Sequence, residues 1–130
     1  MENNRKISKG ENEMVRRKDN ITSITKPAPF GGKGEITVRN LLESEDEMYH
    51  AGRVFAHTTV YPGSAIGYHI HNNESETYYI LNGFGKYNDN GTIVDVNPGD
   101  VFFCGTGEGH SIEAVGGPID MIALILFKHD

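Results

Sequence analysis

Short apolar runs alternate with tight polar turns through most of this chain. Val54 to Val60, Thr77 to Leu81, Thr92 to Val96, Val101 to Cys104 and Ile119 to Phe127 are rich in β-branched and aromatic residues, the composition of strands. Between and beside them stand Pro62-Gly63, Asn82-Gly83, Asn90-Gly91, Pro98-Gly99-Asp100, Gly107 to Gly109 and Gly116-Gly117-Pro118. From Asn82 onward these turns recur every 8 to 9 residues, the rhythm of an antiparallel sandwich or barrel. Asn90-Gly91 between two such runs is a strong hairpin signal. Helical signal is confined to Leu41 to His50, where irregular spacing allows one short turn. The pattern therefore predicts an all-β domain over residues 21–130, preceded by a flexible N-terminal arm over residues 1–20, which are polar and charged.

The last run departs from the rest. Met121 to Phe127 does not alternate, so both of its faces need cover. One face can fill the interior and the other must meet a second layer or a second subunit. A homodimer is expected, with Ile21 to Thr25 able to add a strand to a neighbour's sheet. Intramolecular cover by residues 36–50 is the competing arrangement.

Composition narrows the function classes. The chain has 130 residues, a net charge of −6 and one cysteine. That length supports one core without disulfides or structural zinc. The acidic balance and the lack of a dense basic patch argue against nucleic acid. Arg16-Arg17-Lys18 is ringed by Glu11, Glu13 and Asp19 and is followed by no apolar run, so it is neither a secretory signal nor an anchor. The 7 residues of Met121 to Phe127 fall far short of the ~20 that span a bilayer. A soluble, cytoplasmic protein is expected. Cys104, beside Val101, Phe102 and Phe103, reads as a small core residue rather than a nucleophile.

The chemistry-bearing residues are histidines and one glutamate. His69 and His71 stand two apart on a strand and project to one face. Glu76 follows a polar loop, Asn72 to Ser75, and opens the next strand, where Glu76, Tyr78 and Ile80 share a face. His110 begins a third strand after a Gly-rich turn. Three neutral imidazoles with a carboxylate suit Mn, Fe, Ni, Cu or Zn better than Ca or Mg; two solvated surface histidines are the plainer reading of His-x-His alone. Glu74 has the right chemistry for a ligand but reads as an exposed charge beside the site. Tyr78 and His57 are the candidates for contacting a bound ligand, with a packed tyrosine and a hydrogen-bonded histidine as the alternatives. His50 and His129 lie outside any motif.

These positions resemble the two motifs of the cupin family. Gly63 is followed after five residues by His69, then by His71, by Glu76 after a gap of four and by Gly83 after a gap of six. Gly99, Gly107 and His110 match the second motif, in which Gly105 replaces the usual proline and Ala114 the usual asparagine. The likeness covers roughly residues 50–127. It implies a double-stranded β-helix, the jelly-roll barrel, with one divalent metal on His69, His71, Glu76 and His110. Two adjacent metal positions would stay open for oxygen ligands.

The resemblance also shapes the expected function: binding or acting on a small oxygen-rich ligand such as a hydroxy- or keto-acid, a uronate or a diketone. A dioxygenase, isomerase or lyase is one class; a non-catalytic binding or sensing module is the other, since fold alone does not decide. Oxalate decarboxylases carry an arginine three residues after the motif glycine, where this chain has Ile66. No Lys or Arg lies between Val54 and Asn82. A dicarboxylate is therefore disfavoured on sequence grounds, Arg53 being the nearest cation that could reach the site.

Overall fold

The structure, a computed structural model, describes residues 15–129. Residues 1–14 of the expected arm lie outside the described residues. Ten strands follow in order: β1 (Ser23–Pro27), β2 (Glu35–Asn40), β3 (Gly52–Val60), β4 (Ala65–Ile70), β5 (Glu74–Asn82), β6 (Gly85–Asp89), β7 (Thr92–Val96), β8 (Val101–Cys104), β9 (Gly109–Ala114) and β10 (Ile119–Phe127). They form an antiparallel six-stranded sheet, β1-β2-β3-β10-β5-β8, and a four-stranded sheet, β4-β9-β6-β7. No α-helix occurs among the described residues, and none of their helices is long and apolar enough to cross a membrane. Asn90 and Gly91 both take positive φ (49° and 106°) and join β6 to β7, as a two-residue hairpin turn requires. Leu41 to His50 forms turns only.

The core lies between the sheets. Ile80, Met121, Ala123 and Val60 from the larger sheet meet Ile66, Tyr87, Val96 and Ile112 from the smaller one. On β5 the expected alternation holds: Glu76, Tyr78 and Ile80 are buried, while Tyr79 and Leu81 are exposed. Cys104 is buried and unpaired, and burial pushes its thiol up to about 11, which makes it inert at neutral pH.

The non-alternating β10 is the central strand of the larger sheet, paired with β3 on one side and β5 on the other. Its inward Met121, Ala123 and Ile125 are buried, whereas Ile122 and Leu124 on the outer face are only partly covered. Residues 36–40 do not cover that face, because β2 lies beside β3 in the same sheet. The strand expected for a neighbour's sheet is used within the chain: Ser23↔Arg39 through Pro27↔Glu35 pair β1 with β2. Arg16 is held as well, donating to the Leu41 carbonyl at 3.0 Å and to Glu47 at 2.8 Å.

Two irregularities position the site. On β4 the register slips by one residue between Ile66 and His69, while β9 runs on from Ile112 to His110. The extra residue re-aims the strand, as bulges beside functional sites do, so that Ile66, His69 and His71 all face inward. His71 itself lies one residue past β4 and is kept in line by backbone bonds with Glu108 and Gly107.

Candidate metal centre

Four side chains from four places in the chain converge between the sheets. His69, next to last on β4, stands directly opposite His110 on β9; His71 follows β4; Glu76 reaches across from β5. Their ligand atoms all lie within 4.8 Å of one another. Glu76 Oε1 stands 3.0 Å from His71 Nε2, 3.1 Å from His110 Nε2 and 3.7 Å from His69 Nε2. His110 Nε2 is 3.1 Å from His69 Nε2 and 3.2 Å from His71 Nε2.

The outer nitrogens explain why the inner ones converge. His69 Nδ1 donates to the Gly67 carbonyl, in the bulge, at 2.8 Å. His71 Nδ1 donates to Glu74 Oε2 at 2.6 Å. Carbonyl and carboxylate oxygens only accept, so in the neutral rings both protons sit on Nδ1 and both Nε2 lone pairs face inward. His110 Nδ1 is 2.8 Å from the Tyr87 hydroxyl, which can accept its proton and free the third Nε2. Lone pairs from three imidazoles and a carboxylate then face one another in a buried space. Such a set is satisfied only by a cation, a proton or a metal ion, and its N/O character fits a first-row transition metal. The Nδ1 partners are the outer support that metal-bound histidines use.

The electrostatics agree. Burial pushes the Glu76 carboxyl up, but His110, His69 and His71, each of which can donate to it once a proton sits on Nε2, outweigh that and hold the group well below the usual carboxylate range. His71 is raised, by its bond to Glu76 against the cost of burial and with help from Glu74. His110 is lowered, chiefly by burial.

The remaining candidates are placed as follows. Tyr78 points inward as expected, buried and stacked on the His110 ring with centroids 5.0 Å apart; burial, then Glu76, raises its hydroxyl well above the ordinary value. His57 is not brought to the cluster. It pairs with Ile122 on the outer face and meets Asp120 Oδ1 at 3.0 Å, because Ala56, Thr58 and Val60 take the inward positions of β3. Glu74 is not an exposed charge: its side chain is largely covered, and it accepts two bonds of 2.8 Å from Arg53 while holding His71. Arg53 is thereby turned to Glu74. Tyr87 was not visible as a site residue, although its place beside Gly85 on the inward face of β6 was readable by alternation.

A family model described as "Cupin domain" matches residues 56–127. The chain belongs to the cupin family. An oxalate-binding protein of Thermotoga maritima is 42% identical to this cupin over 114 residues, 87% of this chain and 93% of that protein. The crystal structure of a predicted oxalate decarboxylase from T. maritima, also 42% identical, superposes with a TM-score of 0.83 and covers 88% of this chain and 99% of its own. A cupin-2 domain from Rhodospirillum rubrum shares the fold at 16% identity, with a TM-score of 0.70 over 91% of this chain and 76% of its own. The double-stranded β-helix inferred from the motifs is thus the fold of the protein.

Proposed function

We propose that this cupin holds one divalent transition metal on His69, His71, Glu76 and His110 and uses it to bind a small oxygen-rich anion, with oxalate the first candidate. The observation that carries the metal is the convergence of oriented lone pairs on one buried point. When bound, the metal would supply a Lewis-acidic centre for oxygen donors. The choice among Mn, Fe, Ni, Cu and Zn is left to elemental analysis.

By sequence, a dicarboxylate is disfavoured because its second carboxylate would face Ile66 with no cation beside it. Arg53 is indeed committed to Glu74, so that argument stands for longer diacids. Oxalate differs. Its two carboxylates are bonded directly, and one oxygen of each can meet the same metal ion. A divalent ion beside the Glu76 carboxylate keeps a net positive charge, which attracts the dianion without an arginine. The 42% identity to an oxalate-binding protein supports this choice.

Binding is favoured over acid–base turnover by the state of the side chains around the cluster. The Tyr78 ring stacks on His110 and the Tyr87 hydroxyl meets its Nδ1; burial raises both hydroxyls above the ordinary tyrosine value, so neither is a base at neutral pH, and Glu74 is tied to Arg53. The test is calorimetric titration of Mn(II)-loaded protein with oxalate, succinate, lactate, glucuronate and acetylacetone. Oxalate should bind, succinate should not, and oxalate binding should vanish in His71→Ala. Metal-loaded protein that gives no heat with oxalate would overturn the oxalate assignment.

The same reading extends to assembly. The outer face of the larger sheet presents Tyr79, Leu81, Val101 and Phe103, contiguous through the pairings Tyr79↔Ile122 and Tyr79↔Val101. We infer that a second copy of the chain covers it, since exposed apolar area of this kind marks an interaction surface and two-fold dimers dominate such assemblies.

A further inference from the structure

The segment between β1 and β2 adopts a backbone that its sequence does not favour. Ala28 (φ 39°, ψ 55°) and Phe30 (φ 53°, ψ 37°) are left-handed although neither is glycine, and Gly31 and Gly34 follow at 72° and 66°. Left-handed non-glycine residues cost free energy and persist only where the surroundings impose them. Here the surroundings are the edge of β4. Lys33 and Ala65 exchange backbone bonds of 3.1 and 2.9 Å, and Ala28 N–H donates to the Gly34 carbonyl at 2.8 Å. A Cβ on Gly67 would stand 2.0 Å from the Phe30 carbonyl oxygen, and one on Gly32 would stand 2.0 Å from that of Ala65. The backbone at Phe30 therefore rests directly on the bulge that carries His69.

What this arrangement achieves is found at His69. The Phe30 ring stacks on the imidazole with centroids 4.1 Å apart and planes 14° apart. Phe30 remains 66% exposed, whereas the His69 side chain is only 9% exposed. The phenyl ring thus gains little burial of its own and instead covers its neighbour. The other two imidazoles have stronger supports, Glu74 for His71 and both Tyr87 and Tyr78 for His110. His69 has one carbonyl on its Nδ1 and Phe30 on its face.

We propose that Phe30 is a positioning residue of the metal site: its ring fixes the rotation of the His69 imidazole and screens that ligand from water, so that it governs how fast the metal exchanges. This rests on the reading of the cluster as a metal site and adds a residue from outside both cupin motifs.

The test compares wild-type, Phe30→Gly and Phe30→Tyr proteins loaded with Co(II). Visible absorption bands report the ligand set, and their decay in excess EDTA reports release. Glycine accepts the left-handed backbone more readily, so the metal-free Phe30→Gly protein should melt no lower than wild type. Its Co(II) should nevertheless leave about tenfold faster, in the range expected when a ligand's support is removed, with altered bands; Phe30→Tyr should behave as wild type. Wild-type release in Phe30→Gly would overturn the assignment while leaving the metal site intact. So would faster release accompanied by a lowered melting temperature of the metal-free protein, which would mark a structural role. Wild-type protein that develops no Co(II) bands would overturn the metal reading, and this inference with it.

Discussion

Glu74→Ala separates a ligand's support from the ligand itself. In the native site the Glu74 carboxylate accepts the His71 Nδ1 proton at 2.6 Å and is clamped by Arg53 through two bonds of 2.8 Å. Removing it leaves the His71 ring free to rotate and its Nδ1–H without a partner in a largely buried position. Loss of such support costs roughly 10- to 100-fold in metal affinity, or about 1.4–2.7 kcal/mol. Arg53 acts one step further out. Its side chain is 44% exposed, and exposed ion pairs contribute only about 0.2–1 kcal/mol, so Arg53→Ala should weaken metal by no more than about fivefold. Glu74→Gln keeps an accepting oxygen but loses the charge, and should fall between the two.

The pH of the assay decides whether this ordering is visible. Glu74 helps to raise His71, and its removal makes that ring a poorer competitor for protons as well as a poorer ligand. Near pH 6 the two effects oppose each other; at pH 8, above the ordinary histidine range, proton competition weakens and the loss of support dominates. Competition with a chelating dye for Zn(II) at pH 8 is therefore the measurement, with circular dichroism of the metal-free variants as the check on folding. Unchanged Zn(II) affinity in folded Glu74→Ala protein, beside a His71→Ala variant that no longer binds, would refute the idea that Glu74 orients the ligand.

Acid should release the metal below about pH 6, because the ligands must be neutral and an unperturbed histidine titrates near 6.5; His71 should protonate first, since it is raised while His110 is lowered. In the metal-free protein the raised His71 contributes stability that is present below its unfolded pKa and lost as pH rises through its folded one, so the gain in melting temperature on metal loading should be larger at pH 8 than at pH 6, and a gain independent of pH would contradict this. Phe103→Glu, placed on the outward face of the edge strand β8 where Phe103 is 62% exposed, should convert a dimer to a monomer in light scattering; a wild-type monomer at micromolar concentration would remove the interface altogether.

What could be read from the residues depended on whether a signal was local. The cluster of His69, His71, Glu76 and His110 was legible because turn glycines and period-two spacing place its members along single strands, and the parity of Glu76, Tyr78 and Ile80 needed only β5 itself. Strand β1 gave no such signal: all five of its residues are exposed and it ends in Pro27, so its only structural cue is the partner β2. The face of His57 is set by its pairing with Ile122, a residue far along the chain. The left-handed backbone of Phe30 is invisible in the sequence, because it is imposed by contact with Gly67 rather than by local preference.

Glu74 is the instructive misreading. Taking Asn72 to Ser75 as loop made Glu74 a solvated charge, yet the turn is shorter: Asn73 takes the left-handed conformation (φ 62°) and β5 begins at Glu74. Once the strand starts there, Glu74 shares the parity of Glu76 and must lie on the side of the histidines. The two carboxylates are then divided by depth. Glu76, deeper and buried, meets all three Nε2 atoms; Glu74, at the strand's end, meets the outer nitrogen of His71 and the guanidinium of Arg53. Arg53 was considered as a cation for a second substrate carboxylate, but the same geometry gives it to Glu74. The positive charge offered to an anionic ligand would therefore be that of the proposed metal, which is why the proposed ligand is one whose two carboxylates can share a single ion.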